Sequence, residues 1–159
     1  MTATAPAVDT GTTPRAGALL QALLAGLAGL LGWEVFAAVI GPIWVGQRLD
    51  PAGLVQAAFG IASPVLAHII HALIGIVVFP LVYALVVRPI AARVAPWAAW
   101  WLVGLAYGAV LWVAALYGVA HLLAGFPAFL GFGAMAWASL VGHLAYALPL
   151  AAVAARPAR

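Results

Sequence analysis

A chain of 159 residues that is 68% hydrophobic and 6% charged, with mean hydropathy +1.21, has too few polar side chains to clothe a soluble core, so lipid must be its solvent. Its net charge of +3 rests on six basic residues, all arginine, at the ends of apolar blocks; they read as topology signals, which sets nucleic acid aside as a partner. With no cysteine there is no disulfide framework, thiolate metal site or thiol nucleophile, and imidazole and carboxylate are left as the strong ligands.

Residues 1–15 are small, polar and proline-containing up to Arg15, and are expected to form a disordered cytoplasmic tail. Residues 16–155 form a single domain with four apolar blocks, at about 16–40, 64–87, 96–123 and 130–155. Each exceeds the roughly 20 residues that an α-helix needs to cross about 30 Å of hydrocarbon. The fold class is therefore all-α, a four-helix transmembrane bundle. The first block is longer than the apolar core of a signal peptide and contains Glu34, so it is expected to be retained. Gly41-Pro42 is expected to end or kink it.

Between the first two spans, Asp50-Pro51 makes an N-cap followed by proline at the first helical position. Leu54, Val55, Ala58 and Phe59 supply an apolar face and Gln56 a wet one, which predicts a short interfacial helix along the membrane surface. Pro80 should kink the second span, which is expected to stop at Arg88-Pro89. Trp97, Trp100 and Trp101 open the third span at the headgroup level. Gly125-Phe126-Pro127 makes a tight return into the fourth, which carries Pro149 near its end and gives way to a cytoplasmic tail at 156–159.

Arg15, Arg88, Arg93, Arg156 and Arg159 fall on one side of this threading and only Arg48 on the other, which predicts both termini in the cytoplasm. Heavy use of Ala, Gly, Leu and Arg points to a GC-rich bacterial genome, and so to a bacterial cytoplasmic (inner) membrane. The halves also resemble each other. Gly26-Leu27-Ala28 with Gly29, Gly32 and Trp33 echoes Gly104-Leu105-Ala106 with Gly108 and Trp112, and His71 and His143 recur in the second and fourth spans. A 2+2 duplication would place a pseudo-twofold axis along the membrane normal.

The run His71 to Gly75, the Gly104, Gly108, Trp112 series and the late His143-Leu144 pair resemble a bacterial family of small four-span inner-membrane proteins of unknown function. The resemblance implies a fold and a location but no reaction, and Glu34, His68 and His121 do not carry over from it.

Glu34, His68, His71, His121 and His143 are the strongly polar groups inside the blocks. Counted from the outward ends at about 1.5 Å per residue, Glu34, His68 and His71 share one layer, with His121 just above it and His143 nearer the midplane. Such residues are costly in lipid, so they are expected to turn inward and meet one another.

Three readings follow. A small accessory or assembly subunit of a larger membrane complex or homo-oligomer leads, with the polar groups hydrogen-bonded between helices. Alternatively Glu34, His68, His71 and His143 bind a transition metal, or His71 and His143 are axial ligands of a haem b with room left by Gly75 and Gly142. The third is a proton-coupled carrier working through Glu34 and the histidines. Material for soluble-type catalysis is lacking, so a non-enzyme is expected.

Overall fold

The computed structural model describes residues 14–156, and side chains from Ala16 onward; the expected tails fall mostly outside the described residues. Four helices are long and apolar enough to cross a membrane: Ala16–Val45, Pro64–Val94, Trp100–Leu123 and Ala134–Ala154. With the short helix Pro51–Phe59 between the first two, they form an all-α bundle without strands among the described residues.

The first two spans run past the stops expected at Gly41-Pro42 and Arg88-Pro89. The reason is local widening of the helix. The N–H of Gly41 bonds to Phe36 O, that of Phe79 to Ile74 O and that of Arg88 to Tyr83 O, each five residues back, and each of these π-turns is followed at once by Pro42, Pro80 or Pro89. In a regular α-helix the proline ring would strike the carbonyl four residues behind it; the wider turn moves that carbonyl aside, so the helix continues.

The fourth span starts later than expected, at Ala134. Before it, Phe129, Leu130, Gly131 and Phe132 adopt φ of 50°, 51°, 65° and 55°. A left-handed turn through three side-chain-bearing residues costs about 1–2 kcal/mol at each. Aromatic packing holds it. The Phe129 ring stacks near Trp112 at 5.0 Å and Tyr117 at 5.7 Å, and Phe132 lies against Trp137 at 6.1 Å.

The fourth span is the axis of the bundle, with Ala138, Ala147, Leu150 and Ala151 fully enclosed. The first span meets it through Gly29 against Tyr146 and Gly32 against Ala145 O, and the third through Gly104 against Ala151 and Gly108 against His143 O. The first and fourth spans pack along their length, whereas the second and third come together mainly where the Tyr83 and Tyr107 rings lie 5.3 Å apart. A twofold relation would make these two pairings equivalent, and the packing does not keep that equivalence. At the other end the second and third spans part, and the short helix Pro51–Phe59 wedges against both.

That wedge is capped as its sequence predicts, Gly53 N–H donating to Asp50 Oδ1 at 2.9 Å. It also packs into the bundle. Ala52 and Val55 are buried against Ala67 of the second span, and Leu54 packs on Leu116 and Ala120 of the third. Gln56, expected to face water, instead donates to Ile61 O at 3.1 Å and Ala62 O at 3.2 Å, closing the turn at left-handed Gly60. A helix placed over parted spans can bury more apolar area than one lying beside them.

Candidate functional site

The parting of the second and third spans leaves a half-open cavity of about 650 Å³ lined by all four spans and the wedge helix. Its walls are largely apolar, with Leu30, Ile74, Phe79 and Leu111 typical of them. Its charged lining among the described residues is confined to Arg48 and Asp50, at the end closed by the wedge helix.

Three polar rings converge in its wall. Trp33 of the first span touches both central histidines: its ring lies 5.0 Å from His143, edge-on at 70°, and 6.2 Å from His71. The indole is held there because Gly142 has no side chain; a Cβ at that position would lie 2.7 Å from Trp33 Cζ3. His143 is oriented from its own helix. Its Nδ1–H donates to Ser139 O at 2.7 Å, which leaves the Nε2 lone pair free for a donor or a metal. Tyr146 closes the inner end, its hydroxyl donating to Gly75 O at 2.7 Å.

Two atoms in this wall lack partners. Trp33 Nε1, on a side chain only 6% exposed, and His71 Nε2 are buried with no hydrogen bond. An unsatisfied buried polar group costs about 1–3 kcal/mol, and such groups collect where function requires them.

The other expected site residues lie elsewhere. His68 is exposed and its Nδ1–H donates to Pro64 O at 2.9 Å, on its own helix. The 60° that separates it from His71 on a helical wheel is enough to carry one ring outside the bundle and leave the other inside. Glu34 is 47% exposed and faces Arg48 Nη2 at 3.8 Å, because the chain doubles back after Gly46 and seats Leu49 against Gly41. His121 donates to Phe126 O at 2.8 Å and stabilises the turn between the last two spans. The inward convergence expected of the whole polar set is thus confined to His71 and His143. No group of three or more His, Asp or Glu placed to hold a metal occurs among the described residues.

The late start of the fourth span corrects the depth of His143. It lies nine residues into the helix rather than thirteen, about 14 Å at 1.5 Å per residue, close to the level of His71. In the sequence Trp33 served only in the comparison of the two halves and was not singled out as the residue that joins the two imidazoles. The available signal was its register: Trp33 follows Gly29 and Gly32 on the helix face that packs against the fourth span. Residues 47–50, which line the charged end, carried no such signal, since their position depends on the chain reversal at Gly46, whose φ is 76°.

Four helices long and apolar enough to span a membrane define a multi-pass α-helical integral membrane protein, here with a half-open cavity among them. Comparison of the chain with profiles of known protein families, with curated proteins and with solved structures gives no match.

Proposed function

We propose that the protein is a non-catalytic accessory subunit of the bacterial inner membrane, with both termini in the cytoplasm, that holds one lipophilic molecule in its bundle. The observation that carries this reading is a half-open, mostly apolar cavity of about 650 Å³ lined by Trp33, His71 and His143, beside which Trp33 Nε1 and His71 Nε2 are buried without a partner among the described residues. Cavities of this size, mostly apolar with a few convergent polar groups, are the common form of small-molecule sites. The resemblance to small four-span inner-membrane proteins is consistent with the location, and the arginine distribution supports the orientation.

A haem b between His71 and His143 is the second reading, favoured by the free Nε2 of His143. The contact of Trp33 with both imidazoles weighs against it, because the indole takes up the space beside them and fills the notch at Gly142 that a porphyrin would need. A cation held by all four of Glu34, His68, His71 and His143 has no support in their placement, and Glu34 lies outside the route a proton would take between the two inner histidines.

Native mass spectrometry of gently extracted protein tests the proposal, comparing the wild type with Ala115→Phe, which fills the cavity from the third span. The expected result is a lipophilic adduct of one per chain on the wild type that is absent from the variant. Equal, graded lipid adducts on both would contradict it, and a Soret band in the same preparation would transfer support to haem. Migration with a larger complex on a native gel is the outcome expected of an accessory subunit.

A further inference from the structure

The polar atoms of the cavity restrict the chemistry of what it binds, provided the cavity is a binding site as proposed above. Charge is the first restriction. Arg48 and Asp50 line only the end under the wedge helix, where Asp50 caps that helix and Arg48 also faces Glu34, and no charged side chain lines the inner part beside Trp33, His71 and His143. Moving an ion into such surroundings without a partner is strongly unfavourable, so the guest is uncharged.

Hydrogen-bond polarity is the second. Trp33 Nε1–H can only donate, and it has no acceptor. With Nδ1–H fixed on Ser139 O, His143 Nε2 can only accept. A hydroxyl group donates to His143 Nε2, and its oxygen accepts from Trp33 Nε1–H when the indole turns that covered group toward the guest; a carbonyl lacks the proton that His143 accepts. Shape is the third. Trp33, Phe79 and Tyr146 are among the lining residues, and the Phe79 and Tyr146 rings are already set edge to face at 5.9 Å. A flat ring fits between such walls. The second and third spans pack loosely beside it, which leaves a route for a hydrocarbon tail to reach lipid.

We infer that the cavity receives an uncharged lipid whose ring head carries a hydroxyl group, the chemistry of a lipid quinol, with the head against Trp33, His71 and His143 and the tail leaving between the second and third spans.

The test is ligand depletion by protein in nanodiscs, measured against empty nanodiscs, with four probes that share a ten-carbon tail: decylhydroquinone, decylbenzoquinone, decylbenzene and decanoate. Decylhydroquinone is expected to bind at least tenfold more tightly than decylbenzene and about fivefold or more above the quinone, which lacks the O–H that His143 accepts. Trp33→Phe and His143→Leu should each weaken the hydroquinone by about 5- to 30-fold and leave decylbenzene unchanged. Should His143→Leu fail to assemble, Trp33→Phe and the quinone still decide the matter.

Equal affinity for hydroquinone and decylbenzene, insensitive to Trp33→Phe, overturns the head group and leaves the cavity reading standing. Tightest binding of decanoate overturns the uncharged head. Retention of none of the probes above empty nanodiscs removes the cavity reading itself.

Discussion

Trp33 organises the candidate site more than either histidine does, since it touches both rings and rests in the notch left by Gly142. Gly142→Ala is therefore expected to displace the indole and lower stability by about 1–3 kcal/mol, the usual cost of overpacking. Gly118→Ala provides the contrast. Nothing lies within 4 Å of a Cβ at that position, so the change should be neutral or slightly stabilising through helix propensity. Thermal unfolding of the two variants in one detergent checks both. Tyr146→Phe removes the hydroxyl that donates to Gly75 O, and a loss of about 0.5–1.5 kcal/mol is expected in the same assay.

Prolines govern the elements. Pro80 and Pro149 cannot donate to Ile76 O and Ala145 O, four residues behind them, and Gly26 and Gly32 of the first span come up against these same two carbonyls. The close approach allows Cα–H···O contacts, and any Cβ there would overlap the carbonyl oxygen. Gly32→Ala should accordingly destabilise the bundle by about 1–3 kcal/mol, with separation of the first and fourth spans visible as faster proteolysis of the turn at Gly46.

The four spans, the Asp50 cap and the wedge helix were legible because apolar length, an N-cap residue and Pro51 are local signals. The continuation of the helices through Pro42 and Pro89 was not, nor was the π-turn before Pro80 inside the second span, since a proline can end a helix, kink it or follow a π-turn, and the neighbouring helix decides among them. The left-handed turn at Phe129 was hidden for a similar reason, because its aromatic support comes from Trp112 and Tyr117, distant in sequence. Of the polar set, His71 and His143 come together through Trp33. His68 and Glu34 find partners on the outside, Pro64 O and Arg48, that hydropathy alone does not reveal.

At the scale of the whole molecule, one end of the bundle is tied together and the other is parted. At the tied end Arg88 donates to Ala154 O at 2.9 Å and Gln21 to Val153 O at 3.3 Å and to Arg156 O, so three spans meet at the end that carries Arg88 and Arg156. The proposed orientation puts this end in the cytoplasm. A phosphatase that is active only outside the cytoplasm should stay inactive when fused after Arg159, and activity there would reverse the orientation. At the parted end the wedge helix and the left-handed turn close over the cavity, so the bundle has one firm face and one that can admit a guest.

The measurement that bears most directly on that view is ¹⁹F NMR of the protein labelled with 5-fluorotryptophan, the Trp33 signal being assigned by its loss in Trp33→Phe. Added decylhydroquinone is predicted to shift the Trp33 resonance and to leave those of Trp97, Trp100 and Trp101, exposed at the mouth of the third span, in place. A Trp33 signal that stays fixed while the exposed tryptophans move would show the probe outside the bundle and contradict the account.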